Sequence, residues 1–230
     1  AVYACNENGN GIYNEADDGQ NLACNNLSWA DLTAYLDWVA LRPMTELEFE
    51  KACRGTQVPV ADEFAWGNTA MNLVPGTTNN GMANESSSDP NANCNNTDWT
   101  AMAGPIRVGS LGTGINTRQA TGATFYGIME MSGNMWERTV TVGNTTGRSF
   151  NGIHGNGVVS NTFIVGQLDY GDADVLSWPG YTALGSGFRG GAWYFFDPQA
   201  ASASYRIYAS SDQVFPLYDF GGRGVRTAPY

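Results

Sequence analysis

Asparagine is missing from the last 69 residues of this chain, although the first 161 residues contain 22 of them. Within that tail, the stretch from Phe188 to Tyr230 also has no lysine, glutamate or methionine. It carries instead 11 of the chain's 28 aromatic residues, together with four arginines and three aspartates. These absences indicate that the composition of the tail has been set separately from that of the rest of the chain.

Basic residues are scarce, with one lysine, one histidine and ten arginines against 22 acidic residues. The resulting net charge of −11 argues against nucleic acid and anionic membrane surfaces as partners, because both bind basic faces. No apolar run approaches the roughly 18 residues that a spanning helix needs, so no direct membrane insertion is expected. The chain begins at Ala1 rather than at a methionine, which favours a processed or partial chain.

Cysteine is limited to Cys5, Cys24, Cys53 and Cys94, without C-x-x-C spacing. Together with the single His154, this makes a zinc site improbable. Two interpretations stay open for the cysteines. A disulfide, for example between Cys5 and Cys24, would favour an extracellular or periplasmic location, whereas buried free thiols would not.

The periodicity predicts two short helices in an α+β domain that spans residues 1–230. Residues 1–27 are rich in Asn, Gly and Asp and are predicted to be irregular. One helix is expected from Trp29 to about Leu41 and a second from Thr45 to Gly55, each opened by a capping box. On the second helix, Glu46, Glu48 and Glu50 are expected to solvate the exposed face. Short strands are predicted within Tyr126–Met131, Met135–Val142, Phe188–Phe195 and Gly224–Thr227.

Four segments in order carry a family resemblance: Leu41 to Gly55, Phe64-Ala-Trp-Gly67, Tyr126 to Glu137 with its Gly-Asn-Met-Trp-Glu ending, and Phe188-Arg-Gly-Gly-Ala-Trp193 with the closing Gly222-Arg-Gly-Val-Arg226. They resemble the landmarks of the formylglycine-generating-enzyme (sulfatase-modifying factor) domain, over roughly residues 27–227. The resemblance implies a C-type lectin fold with two short helices, small antiparallel sheets and long loops. The opening strands of that family are not recognisable before Ser28.

The resemblance also bears on chemistry. The oxidases of this family need reactive cysteines just after the Arg-Gly-Gly landmark, but here that stretch runs Tyr194-Phe-Phe-Asp-Pro and contains none. A thiolate nucleophile cannot be replaced by Phe or Ser, so we expect no catalysis and no required cofactor. The resemblance implies a calcium site at Glu130, Gly133, Met135 and Glu137. Its ligands would be two carboxylates and two backbone carbonyls, and such hard oxygen ligands suit a structural calcium ion. The alternative is that Glu137 ties the turn by hydrogen bonds or pairs with an arginine.

The remaining positions of the tail share a codon property, since each can be reached from an Asn codon by changing only its adenines. These candidate ligand-binding residues are Ala192, Tyr194, Phe195, Phe196, Asp197, Tyr205, Ile207, Tyr208, Asp212, Val214, Phe215, Leu217, Tyr218, Asp219 and Phe220. The pattern resembles the variable proteins of diversity-generating retroelements, in which a C-terminal segment is rewritten by adenine-specific mutagenesis. We call residues 188–226 the C-terminal segment.

Rigid rings interspersed with Ser, Asp and Gly are typical of a paratope. The sequence therefore predicts a non-catalytic, receptor- or adhesin-like protein, located outside the cell, at the cell surface or on a phage particle, that binds a protein ligand. One alternative is a structural module of a surface filament, gliding or secretion apparatus, which would use the same rings as an oligomer interface. A divergent enzyme with a bound redox metal is a third.

Overall fold

Short regular elements are joined by long loops. The computed structural model describes residues 5–96, 104–112, 117–165, 169–194 and 197–228. In chain order the elements there are α1 (Trp29–Trp38), β1 (Arg42–Pro43), α2 (Glu46–Arg54), β2 (Thr77–Thr78), β3 (Ser86–Ser87), β4 (Trp136–Val140), α3 (Thr145–Arg148), β5 (Ser186–Arg189), a 3-10 helix (Pro198–Ala201), β6 (Phe220–Gly222) and β7 (Gly224–Val225). The prediction of a mixed α and β protein with few helices and small sheets is confirmed. Among the described residues, no helix is both long and apolar enough to cross a membrane.

Both predicted helices begin at their capping boxes. Ser28 caps α1 and Thr45 caps α2, and in each the acidic residue three positions on closes the box. The helix α1 ends at Trp38 rather than near Leu41. There the chain turns through a left-handed Ala40 (φ +56°), and the amide of Leu41 donates to the carbonyl of Leu36 at 2.9 Å.

Three of the four predicted strand regions contain a strand. The exception is Tyr126–Met131, where the prediction is wrong: the chain turns at Gly127 (φ +80°) and again at Glu130 (φ +53°). The predicted run from Phe188 stops early, because Gly190 and Gly191 both have positive φ. The short β6, with its two glycines, was not predicted.

The main sheet has the strand order β5-β4-β6, with β4 in the centre. β4 is antiparallel to β5 but parallel to β6, so the main sheet is mixed and the prediction of antiparallel sheets is wrong for it. In this register Arg138 lies between Phe188 and Gly222. A second pair joins β1 to β7, and a third joins β2 to β3. Residues 190–219 therefore form one long excursion that leaves one edge of the main sheet and returns at the other.

The core lies between α2, the main sheet and the Gly-rich loops. Phe49 and Cys53 of α2 pack with Phe64, Trp66 and Met131, all less than a tenth exposed. A second cluster covers the main sheet around Trp136 and Phe188.

Glu46 was predicted to be solvated, and this is wrong. It is 1% exposed, accepts from Thr141 Oγ1 and the Val142 amide, and pairs with Arg189 (3.1 Å) and Arg206 (2.6 Å). Its carboxylate therefore joins α2 both to β5 and to the excursion between β5 and β6.

Candidate ligand-binding face

The candidate ligand-binding residues fall into three groups by exposure. Exposed to solvent are Ile207, Tyr208, Asp212, Val214, Phe215, Leu217 and Tyr218, which we call the C-terminal face. Half-buried are Tyr194, Asp197 and Tyr205, and buried are Ala192, Asp219 and Phe220. Phe195 and Phe196 lie outside the described residues.

Ala192 and Phe220 are buried, so their prediction as exposed ligand contacts is wrong. Both pack in the core cluster with Trp136 and Phe188. Phe220 enters β6 beside Trp136, and its ring lies 4.3 Å from that of Phe188. A codon property is independent of which way a side chain faces, so it could not separate these two from the exposed positions.

The partly exposed rings of the C-terminal segment gather in two groups. In the first, the rings of Tyr205 and Tyr208 are 6.2 Å apart and lie 6.3 and 5.6 Å from that of the buried Trp136. In the second, the rings of Tyr194 and Tyr218 are 5.5 Å apart and both contact the buried Trp193. Each group thus packs against one buried tryptophan, and this contact orders the more exposed rings in the absence of a ligand.

A cavity of about 230 Å³ opens beside the first group. Its lining combines scaffold and candidate positions: Trp136, Phe188, Tyr208, Ser211, Gln213, Leu217, Asp219 and Phe220. Trp136, Phe188, Ser211 and Gln213 are not among the predicted ligand-binding residues, because codon composition does not show which residues of the folded chain border a cavity. A cavity smaller than the ~300 Å³ of ordinary small-molecule pockets is suited to a single side chain.

Asp219 supplies the only carboxylate among the residues that line this cavity. It is 7% exposed, and its Oδ1 atom has no hydrogen-bond partner among the described residues. Burial raises the pKa of Asp219 to about 6, against the lowering effect of its own backbone amide. A buried carboxylate oxygen without a donor is a costly arrangement that a ligand's donor group can relieve.

Arg138 supports the cavity from the sheet. Its guanidinium carbon lies 4.7 Å from the ring centroid of Phe188 and 5.1 Å from that of Phe220. It donates to the carbonyls of Gln213 (3.0 Å) and Phe215 (3.3 Å), which pins this part of the C-terminal face to β4. Burial lowers the pKa of Arg138 to about 10.

The family model for the sulfatase-modifying factor enzyme 1-like domain matches residues 3–228. The chain belongs to this family. No curated protein sequence matches it significantly. Membership of this family accounts for the order of the four sequence landmarks. Because the family includes non-catalytic members, membership is compatible both with catalysis and with binding.

The cysteines of this family member are free thiols in the structure. Cys53 and Cys94 are fully buried, and burial raises the pKa of Cys53 to about 12 and that of Cys94 further still. Such thiols stay protonated at neutral pH and are poor nucleophiles. Cys5 and Cys24 are more accessible and line one cavity together.

The four residues of the predicted calcium site surround a tight turn, in which Gly133 and Asn134 both have positive φ. The carboxylate of Glu137 pairs with Arg223, whose Nη2 also donates to the carbonyls of Met129 (2.9 Å) and Glu130 (3.2 Å). Burial raises the pKa of Glu130 to about 7 and also raises that of Glu137.

This set of residues, as arranged, does not fit calcium. The ion takes six to eight oxygen ligands, and the guanidinium of Arg223 already holds a carboxylate and two carbonyls of the turn. Arg223 would have to withdraw before an ion could enter. The arrangement favours the alternative interpretation, in which Glu137 pairs with an arginine.

Proposed function

We propose that this family member is a non-catalytic, receptor- or adhesin-like binding protein with a C-type lectin fold, whose C-terminal face binds a protein target. The observation that carries the proposal is the position of the codon-reachable residues. Seven of them are exposed on the single excursion between β5 and β6. We further propose that this segment is diversified like that of retroelement variable proteins, and that the protein is displayed outside the cell or on a phage particle.

The composition of the face supports binding. Ile207 is 72% exposed and Phe215 is 66% exposed, and both lie on the same excursion, where a concentration of exposed apolar side chains is typical of an interaction site. Tyrosines add large contact area at low entropic cost, and the neighbouring serines and aspartates supply adaptable hydrogen bonds. A structural calcium ion at Glu130 and Glu137 is not needed for this function.

The absence of cysteine after Cys94 supports a non-catalytic role. The described part of the excursion presents rings, Ser and Asp, where the oxidases of the family require thiols. Neither Cys53 nor Cys94 can substitute, because both are buried and protonated.

The chemistry of the cavity favours a target that inserts a lysine or arginine side chain. Aromatic rings attract a cation through their faces, and Asp219 offers a carboxylate oxygen without a donor. The net charge of −11 attracts basic surfaces over a longer range. The positive charge of Arg138 opposes this, but its guanidinium is engaged with backbone carbonyls and is not part of the cavity lining.

The genomic DNA provides the first test. We expect a near-copy of the coding sequence of the C-terminal segment close by, with adenines at the codons of the C-terminal face, and a neighbouring reverse-transcriptase gene. Their absence would refute the diversification, though not target binding as such.

A library provides the second test. Randomising the seven residues of the C-terminal face should leave most clones folded, as judged by protease resistance on a display particle. Selection of that library on a lysine-rich protein should yield binders, and a control library randomised at the exposed Tyr35 and Trp38 of α1 should not. The binding proposal fails if binders arise equally from both libraries.

If the unmodified protein is an oligomer that Phe215→Ser and Ile207→Ser dissociate, the face is a subunit interface instead.

A further inference from the structure

The N-terminal segment contains a spacing that the proposed function does not use. Residues 6–17 read Asn-Glu-Asn-Gly-Asn-Gly-Ile-Tyr-Asn-Glu-Ala-Asp. Calcium loops of the EF-hand type carry oxygen ligands at positions 1, 3, 5, 7, 9 and 12 and a glycine at position 6. With Asn6 as position 1, this segment has side-chain oxygens at 1, 3, 5, 9 and 12 and glycine at 6.

The backbone of the segment turns at two glycines, of which Gly11 is the glycine at position 6. Gly9 and Gly11 have φ of +70° and +83°, which allows two sharp turns in succession. The side-chain oxygen of Asn6 accepts from the amide of Gly11 at 3.3 Å, and that of Asn8 accepts from the amide of Asn10 at 3.0 Å. The amide side chains thus fold back onto their own loop.

Three carboxylates meet at the end of this loop. Glu15, Asp17 and Asp18 each offer an oxygen, and these oxygens lie within 4.8 Å of one another. That spread fits a shared ion, because two ligands at the ~2.4 Å of a calcium–oxygen bond are at most ~4.8 Å apart. No ion pair with an arginine or lysine involves these carboxylates in the part of the chain that the structure describes.

Asp18 is the second, independent sign of a ligand. It is 2% exposed, and its Oδ1 atom is buried without a hydrogen-bond partner among the described residues. Its Oδ2 atom accepts from the amide of Glu15 at 2.6 Å, which fixes the carboxylate within the cluster. A buried carboxylate oxygen beside two further carboxylates is strongly unfavourable unless a cation joins them.

We propose that residues 6–18 bind one calcium ion. Amide oxygens of Asn6, Asn8 and Asn10 and the carboxylate of Asp17 hold it at positions of the EF-hand spacing, and the carboxylates of Glu15 and Asp18 add two ligands outside that spacing. The asparagines stand where many such loops carry aspartate, so the site has a lower negative charge. We therefore expect a dissociation constant for calcium of ~10⁻⁴–10⁻³ M, as in extracellular calcium-binding modules. Magnesium should bind more weakly, because it requires a tighter octahedral site and releases its waters reluctantly.

The site adjoins the second ring group of the candidate binding face. Asn6, Glu7 and Asp18 line the same cavity as Trp193 and Tyr218. An ion that orders residues 6–18 would therefore order one wall of that cavity. The calcium proposal does not depend on target binding, however, and it is tested without a target.

The test is a calorimetric titration of the metal-depleted full chain with calcium chloride and, separately, with magnesium chloride. We expect about one calcium ion per chain, weaker magnesium binding and a higher melting temperature in calcium. The variants Asp17→Asn and Asp18→Asn should each lower calcium affinity at least tenfold, since each removes a charged ligand. Asp62→Asn, at an exposed acidic residue elsewhere, should bind as the unmodified protein does.

Asp17 is exposed, so its substitution keeps the test valid even where the buried Asp18→Asn variant fails to fold. The proposal is overturned if millimolar calcium gives neither heat nor stabilisation. It is equally overturned if both Asp variants bind calcium normally while Glu137→Gln does not, since that result would assign the ion to the turn at Glu137.

Discussion

Replacing Arg223 with leucine should destabilise the protein in a strongly pH-dependent way. Arg223 pairs with Glu137, which is buried in β4, and its charge also lowers the pKa of the nearby Glu130. Breaking a buried ion pair by removing one partner costs about 3–5 kcal/mol, because the other charge stays buried. The Arg223 side chain is 24% exposed, so we expect the lower end, about 3 kcal/mol at pH 8.

The sign of the pH dependence follows from the two glutamates. In the variant, the folded-state pKa values of Glu130 and Glu137 should rise further above their ordinary values, because the lowering influence of Arg223 is lost. The loss of stability should then be largest at pH 8 and shrink as the pH falls toward 5, where the folded state takes up protons.

Urea unfolding of Arg223→Leu at pH 5 and pH 8 would measure both effects. Arg226→Leu, at an exposed arginine of the same closing motif, is the matched control and should change stability by less than about 0.5 kcal/mol. A further Glu137→Gln substitution should recover part of the loss at pH 8. A cost below about 1 kcal/mol, or one equal at the two pH values, would show that the pair is not a buried charge pair as described.

Three other predictions concern single positions. Gly187→Ala should destabilise by about 3 kcal/mol or more, because its Cβ would lie 1.9 Å from the carbonyl oxygen of Ala209; Gly180→Ala, in open space, should be neutral in the same thermal melt. Glu46→Gln should cost about 3 kcal/mol in urea unfolding, because it leaves the buried arginine of β5 with a weaker partner; an unchanged midpoint would contradict this. Asp219→Asn should raise the free energy of unfolding at pH 7.5 by up to about 3 kcal/mol, because the pKa of about 6 in the folded state makes the ionised carboxylate unfavourable above that pH. Urea unfolding at pH 3.5, where the carboxyl group is protonated, should show no gain.

The local parts of the fold could be predicted from the sequence. Ser28 and Thr45 begin helices because a capping box involves only four consecutive residues, and the glycine after α2 marks its end. Pairings between distant segments leave no comparable local signal. β6 consists of Phe220 and two glycines, and it is a strand only because β4 lies beside it.

The candidate site was predictable as a segment but not residue by residue. Composition identified residues 188–226, but it could not show that Phe220 faces the core while Leu217 faces the solvent. The contribution of Trp136 was missed for a related reason, since it lies far upstream and joins the cavity only through the sheet. Glu46 was predicted to be solvated because its two arginine partners, Arg189 and Arg206, lie more than 140 residues further along the chain.

The order of strands in the main sheet also has a consequence for synthesis. β4 gains one neighbour only when β5 has emerged from the ribosome, and the other only when β6 has emerged after it. Until then, one edge of the central strand has unpaired amide and carbonyl groups that another nascent chain could engage. Substitutions in the C-terminal segment are therefore limited by more than the space available for new side chains. The segment must also allow β6 to pair with β4 before the exposed edge of β4 pairs with another chain. The rate of this step therefore limits which sequences of the segment reach the folded state.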